Sequence, residues 1–182
     1  MKKMQENPNN NKSIWLKLGL NTIGKHGRNE LKISVLCEKL KVTKGCFYHW
    51  FSSKKDYERQ LLQFWKQRFT HAFIEQAEKG ENSQEKLSLL GKQCIEATAK
   101  GDRLEFEINA WSFQDNEVKK FVHSVYKQRY EYLETLLTGI YQNKTQVKKH
   151  ALILYSLVVG VDFFYRKLSE NELQLIFSDY LI

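Results

Sequence analysis

A short segment near the N-terminus carries side chains that can meet a nucleic acid. Within residues 43–51, Phe47, Trp50 and Phe51 fall within about 100° of one another, because each residue advances an α-helix by roughly 100°. We expect that face to point into a core. The opposite face then presents donors and small residues without a carboxylate, namely Lys44, Gly45, Cys46, Tyr48 and His49. Such a surface can contact phosphates and base edges.

The residues just before this segment predict a second short helix and a tight turn. One apolar face of about two turns is formed by Ile33, Leu36, Cys37 and Leu40. Lys41 and Val42 form the turn, and Thr43 is expected to cap the helix that follows. Two short helices joined by a tight turn make a helix-turn-helix, whose second helix enters the major groove of DNA.

The basic charge is concentrated where these elements lie. Residues 1–60 contain 13 Lys and Arg against 5 Asp and Glu, whereas residues 61–182 contain 16 of each. A basic headpiece on a neutral body favours a polyanionic partner, although a solvated lysine surface is the alternative. Residues 1–12 continue from lysines into Asn-rich polar sequence, which predicts a flexible basic arm and no apolar signal core.

The whole chain is expected to be all-α. Apolar residues recur at spacings of three and four nearly everywhere, and Pro8 is the only proline, so no proline interrupts the later helices. We expect a first helix at 13–26 with Ser13 as its N-cap, and a long helix starting at Lys54. The segment 151–164 is apolar nearly all round, and 169–172 fits a capping box that opens a last helix.

The segment Lys44–Lys55 resembles the TetR family of transcriptional regulators. Its Gly-x-Phe-Tyr-x-aromatic-Phe pattern is followed by Ser53 and Lys54, and the resemblance extends over about residues 13–65. It implies an N-terminal three-helix helix-turn-helix headpiece at 13–55. It also implies a C-terminal helical body at 56–182 for ligand binding and dimerisation.

The resemblance also implies which residues contact DNA. They are Lys32, Thr43, Lys44, Gly45, Cys46, Tyr48, His49 and Lys54. Lys32 and Cys46 stand where the family often has threonine, and Lys41 stands where it usually has glycine. A left-handed lysine costs about 1 kcal/mol, which leaves the shape of the turn open.

A small-molecule pocket in the body is a further implication of the resemblance. The candidate lining residues are Phe106, Glu107, Trp111, Tyr126, Arg129 and Tyr130, with Phe113 and Asp162 as additional candidates. An aromatic stripe at helical spacing equally fits plain core, and each charged residue equally fits a surface or paired position.

The function expected from the resemblance is that of a homodimeric repressor. Segments 151–164 and 169–182 would pair with their copies as a four-helix interface, and two headpieces would read a palindromic operator on double-stranded DNA. A small apolar or aromatic inducer would release that operator through the helix at Lys54. The alternatives are an architectural or partner-regulated DNA-binding factor without an inducer, and a basic module for RNA or membrane surfaces.

Other classes of function find no support in the residues. Cys37, Cys46 and Cys94 form no C-x-x-C pair, so we expect reduced thiols and no metal site; oxidation of Cys46 as a switch is a minor alternative. Common hydrolase, metalloprotease and nucleotide-binding motifs are absent from the sequence, so we expect no enzyme activity and no cofactor. The apolar segment 151–164 is shorter than the roughly 20 residues that cross a bilayer, so we expect no membrane span. The expected reduced thiols favour a cytoplasmic protein.

Overall fold

The structure is a computed structural model that describes residues 11–100, 103–164 and 166–178. All regular elements in these ranges are helical, which confirms the all-α prediction. Most of the expected basic arm, residues 1–10, lies outside the described residues. The chain divides into two compact units, an N-terminal unit ending at Trp65 and a C-terminal unit beginning at Lys66.

The N-terminal unit contains four α-helices and one short 3₁₀ turn. The α-helices are α1 (Lys12–His26), α2 (Ile33–Leu40), α3 (Lys44–Trp50) and α4 (Lys54–Lys66, whose last residue opens the next unit), and the 3₁₀ turn is Arg28–Glu30. The expectation that Ser13 caps α1 is wrong. The helix begins one residue earlier, and the side chain of Asn11 accepts a hydrogen bond from the Ser13 backbone N–H at 2.9 Å.

An aromatic core holds the N-terminal unit together. The Tyr57 hydroxyl donates a buried hydrogen bond to the Trp15 carbonyl at 2.8 Å, which ties α4 to α1. The two helices approach closely at Gly19, where a Cβ atom would overlap the Tyr57 hydroxyl. Phe47 of α3 packs edge-on against Trp15 with ring centroids 5.5 Å apart. The core thus fixes α3 through one of its two faces.

The C-terminal unit is built around the long helix α8. Its elements are a π-helical turn (Gln67–His71), α5 (Ala72–Ala77), α6 (Ser83–Ala99), α7 (Leu104–Ser112), α8 (Asn116–Thr138), α9 (Lys144–Val161) and α10 (Glu170–Phe177). Helices α6, α7 and α9 all pack against α8, and α10 packs against α6. One apolar cluster includes Leu137 of α8, Ala151 of α9 and Leu173 of α10.

Helix α10 begins with the expected capping box, whereas helix α9 is buried on one side only. The capping box is confirmed: the Ser169 hydroxyl accepts from the Glu172 N–H, and the Glu172 carboxylate accepts from the Ser169 N–H. Helix α9 buries Ala151 and Leu154 but leaves Leu152 and Ile153 exposed. Within the ranges given above, no helix combines the length and apolar character needed to cross a membrane.

Candidate functional site

The turn between α2 and α3 contains a residue with a left-handed backbone conformation, although that residue is a lysine. Lys41 has φ 55° and ψ 44°, and its N–H donates to the Glu38 carbonyl at 3.0 Å. The Val42 N–H donates to the Cys37 carbonyl at 3.0 Å. These two bonds satisfy carbonyls at the end of α2, and their free energy offsets the unfavourable backbone conformation of Lys41.

Replacing this lysine should therefore stabilise the protein. We expect Lys41→Gly to raise the free energy of unfolding by up to about 1 kcal/mol, because glycine adopts the left-handed conformation without a Cβ clash. Urea denaturation monitored by circular dichroism measures the difference. Lys39→Gly, in the middle of the last turn of α2, is the control and should destabilise. A Lys41→Gly variant less stable than the parent would contradict this account of the turn.

Helix α3 has one buried and one exposed face. Phe47 and Phe51 are fully buried, as predicted, and their ring centroids lie 5.1 Å apart. The prediction that Trp50 also faces the core is only partly right, because Trp50 is half-buried with its ring 4.7 Å from that of His49. The core position beside Phe47 and Phe51 is occupied instead by Tyr57 from α4.

The residues expected to meet DNA lie on the exposed side of α3. Exposed side chains or backbone are found at Thr43, Lys44, Gly45, Tyr48 and His49, whereas Cys46 is half-buried. Tyr48 is 55% exposed although it is a large aromatic residue. Thr43 occupies the N-cap position of α3 but makes no capping hydrogen bond, which corrects the expectation that its hydroxyl caps the helix. Its Oγ1 lies 3.7 Å from the Cys46 Sγ instead.

Lys32 and Lys54 stand at the starts of α2 and α4. Lys32 occupies the N-cap position of α2 without capping it, and its Nζ lies 3.2 Å from a Glu30 carboxylate oxygen. The Lys54 Nζ lies 3.7 Å from a carboxylate oxygen of Glu58. Both lysines are more than half exposed, so these pairs are weak and either ammonium group can turn to a phosphate at little cost.

A capping arrangement before α4 was missed by the sequence reasoning. The Ser53 hydroxyl accepts from the Asp56 N–H, and the Asp56 carboxylate accepts from the Ser52 N–H, both at 3.0 Å. Hydrogen bonds from Arg59, Gln60 and the Ser52 backbone hold the pKa of Asp56 well below its usual range. The signal was present as the spacing Ser-x-x-Asp, which orders the start of the helix carrying Lys54.

A polar group inside the C-terminal unit contains one of the predicted pocket residues, Arg129. Its two terminal nitrogens donate to the Glu105 carboxylate at 3.1 and 3.2 Å, and its Nε donates to the Thr70 hydroxyl at 2.8 Å. Asp162 and Cys94 interact electrostatically with this pair. We call Arg129, Glu105, Thr70, Asp162 and Cys94 the Arg129 cluster. Glu107, which was predicted as a pocket residue, is half-buried and takes no part in these hydrogen bonds.

Burial sets the protonation of the cluster. It raises the pKa of the Cys94 thiol to about 11, so the thiol stays protonated at neutral pH. Burial and the neighbouring Glu105 charge raise the pKa of Asp162 to about 7, although Arg129 acts in the opposite direction. For Arg129, burial is the largest single influence and lowers the pKa, but the charge and hydrogen bonds of Glu105 together with the nearby Tyr155 and Tyr126 outweigh it. The pKa is therefore raised and the guanidinium stays ionised.

The predicted aromatic pocket residues have different surroundings. The Arg129 guanidinium lies 5.7 Å from the ring centroid of Tyr126, and Tyr130 packs edge-on against Tyr155 at 5.7 Å. Phe106 packs against Phe163 at 5.2 Å. Trp111 is buried in the core. Of the additional candidates, Phe113 is 78% exposed, so it cannot line an interior pocket in this conformation.

Comparison with known proteins identifies the fold. No protein-family model matches the chain, and no curated protein matches it. Several solved structures are similar to it. The reduced form of NemR from E. coli is 18% identical, with a TM-score of 0.76 over 92% of this chain and 94% of that chain. A proposed transcriptional regulator from Saccharomonospora viridis, in complex with choline, is 16% identical, with a TM-score of 0.75 over 93% and 94%.

The third structure is SCO7518 from Streptomyces coelicolor A3(2), also described as a proposed transcriptional regulator. It is 12% identical, with a TM-score of 0.62 over 92% of this chain and 96% of that chain. At such low identities a structural likeness establishes the fold alone, and the function has to be argued from the site. The chain therefore has the all-helical fold of these three proteins, with a helix-turn-helix in its N-terminal unit.

Proposed function

We propose that the chain is a sequence-specific DNA-binding transcriptional regulator of the TetR kind, with α3 as its recognition helix. The observation that carries the proposal is the two-sided character of α3. Phe47 and Phe51 anchor the helix in an aromatic core, whereas Lys44, Tyr48 and His49 project into solvent. A helix held by one face and exposing donors on the other suits insertion into the major groove.

Charge and fold support the same proposal. The positive excess of the chain lies within residues 1–60, as expected for a surface that neutralises phosphates. Lys32 and Lys54 are exposed and only weakly paired, and they serve as phosphate contacts beside α3. Two of the similar structures are described as proposed transcriptional regulators.

We further propose that the active form is a homodimer and that it represses transcription from a palindromic operator. Leu152 and Ile153 of α9 and Leu175 of α10 are exposed apolar side chains, and a second copy of these helices would cover them. Two headpieces related by a two-fold axis read two half-sites of one palindrome. A ligand bound in the C-terminal unit would release the operator; one similar structure is a complex with choline.

Footprinting on DNA that flanks the chain's own gene tests the proposal. We expect protection of two inverted half-sites whose centres lie about one helical turn or somewhat more apart. Affinity should fall steeply with salt, and replacing Lys54 with glutamine should reduce the slope by about one counterion. Lys100→Gln, on an exposed residue after α6, is the control and should leave the slope unchanged. Equal binding to random duplex, RNA or anionic vesicles would contradict sequence-specific regulation.

A further inference from the structure

Helix α3 contains a glycine that the packing of the chain does not require. Gly45 lies within the helix and does not have a positive φ. In the described part of the chain, a Cβ atom at this position would meet one neighbouring atom within 4 Å, the Thr43 Oγ1 at an ordinary contact distance of 3.5 Å. Glycine stabilises a helix less than alanine does, so folding does not explain its presence here. The position is open to a partner.

This open position lies opposite the buried face of α3. Gly45 and His49 are four residues apart, so they share one side of the helix, each about 160° around the axis from Phe47. No side-chain atom of His49 comes within 4 Å of the Cβ position of Gly45. The His49 ring packs edge-on against Trp50, with centroids 4.7 Å apart. Base edges can therefore reach the α3 backbone directly at Gly45.

The polar side chains of α3 form a set of hydrogen-bond donors. Lys44 only donates, the Tyr48 hydroxyl and the His49 ring can donate or accept, and no residue of the helix is Asp, Glu, Asn or Gln. Carboxylates read the amino group of cytosine, and carboxamides read the paired donor and acceptor of adenine. Guanine presents two acceptors in the major groove, N7 and O6. The donor set of α3 therefore matches guanine.

Lys44 is the donor that is free to make this contact. It is the first residue of α3, and the N-terminal residues of a recognition helix are those that meet base edges. Lys44 is exposed, and no carboxylate in the described ranges pairs with it, whereas the ammonium group of Lys54 lies beside Glu58. Its ammonium group can therefore donate to guanine without first leaving an ion pair.

The geometry points to a guanine in each operator half-site, read by the Lys44 ammonium group while the backbone at Gly45 lies against the neighbouring base edges. This inference rests on the proposed function, because it takes α3 as the recognition helix, and it adds which base that helix reads. Adenine and cytosine each turn an amino group towards the groove, which repels a second donor. Thymine offers one acceptor beside a methyl group.

Selection of bound duplexes from a random library, with the full chain, identifies the half-site. Each of its guanines is then replaced in both half-sites by 7-deazaguanine, which pairs normally but lacks the N7 acceptor. We expect one guanine at which this replacement weakens binding at least about fivefold. If no guanine responds, or the half-site contains none, the inference alone is wrong. If no sequence is enriched, the proposed function fails as well.

Lys44→Met tests whether this side chain reads the guanine. The variant keeps a long side chain without a donor, so operator affinity should fall at least about tenfold. Replacement by 7-deazaguanine should then weaken its binding less than about twofold, because the donor is already gone. Lys39→Met removes the same charge from an exposed position of α2 and should keep the response of the parent. If Lys44→Met also keeps that response, the inference is wrong.

Gly45→Ala tests the close approach of the backbone. The added methyl group has room in the free protein, so the midpoint of urea unfolding should stay the same or rise. The same methyl group would stand between the α3 backbone and the base edges. Operator affinity measured by electrophoretic mobility shift should therefore fall at least about tenfold. Operator binding as tight as that of the parent, or a lower unfolding midpoint, would contradict the inference.

Discussion

Replacing Phe47 with alanine should unfold the N-terminal unit at moderate urea concentrations. Phe47 is fully buried, and its ring contacts those of Trp15, Phe51 and Tyr57 at centroid distances of 5.5, 5.1 and 5.3 Å. Truncating such a ring removes these contacts and leaves a cavity, which costs about 3–5 kcal/mol. Because a domain is only marginally stable, this loss consumes much of its free energy of unfolding. Urea denaturation followed by circular dichroism measures it.

The adjacent residue provides a matched comparison. Tyr48 is 55% exposed, so Tyr48→Ala should change the free energy of unfolding by no more than about 0.5 kcal/mol. Loss of its contact to DNA should nevertheless weaken operator binding by about 1–3 kcal/mol, or roughly fivefold to 150-fold. Tyr48→Phe keeps the ring and separates stacking from hydrogen bonding. If Tyr48→Ala unfolds as readily as Phe47→Ala, the assignment of the two faces of α3 is wrong.

Replacing Arg129 with methionine should destabilise the C-terminal unit strongly. The side chain is largely buried, and its removal deprives Glu105 of two hydrogen bonds and Thr70 of one. Breaking a buried ion pair by removing one partner typically costs about 3–5 kcal/mol, because the other charge is left uncompensated. Lys127→Met breaks an exposed pair with Glu131 on the same helix, and this control should cost at most a few tenths of a kcal/mol.

The loss in Arg129→Met should depend on pH. The folded-state pKa of Asp162 is already above its unfolded value of 3.8, so its ionisation destabilises the fold as pH rises towards about 7. Without Arg129, Asp162 and Glu105 repel each other with no cation between them. The variant should therefore be closer to the parent in stability at pH 5 than at pH 8. A pH-independent difference in unfolding free energy would show that charge is not what Arg129 contributes.

Local spacing was sufficient to predict most of the helix-turn-helix. Positions three and four apart share a helical face, so Phe47 and Phe51 could be assigned to the core and Tyr48 to solvent before any tertiary contact was known. The capping box at Ser169 and Glu172 was equally readable, because both partners lie within one turn. Trp50 satisfied the same spacing but is only half-buried, since Tyr57 from a different helix occupies the core beside α3.

The partner of Arg129 could not be chosen from the sequence. Glu105 and Glu107 are two residues apart on α7, which places them about 200° apart around the helix, so only one of them can face α8. The bonds of Arg129 to Glu105 and Thr70 span 24 and 59 residues. No periodic pattern encodes contacts across such separations, so the residues alone assign Arg129 no partner.

At Lys41 the sequence predicted a turn but did not determine its backbone conformation. From the residues alone, the helix-turn-helix was predictable, but a lysine in place of glycine left the shape of its turn open. The structure shows that shape: Lys41 adopts the left-handed conformation, and its N–H and that of Val42 satisfy carbonyls of α2. By itself, the sequence determined the helices and the faces of α3, because these depend on neighbours within about four residues. Tertiary packing determined the partner of Arg129, because its bonds to Glu105 and Thr70 join residues 24 and 59 positions apart and depend on free energy gained from distant parts of the chain.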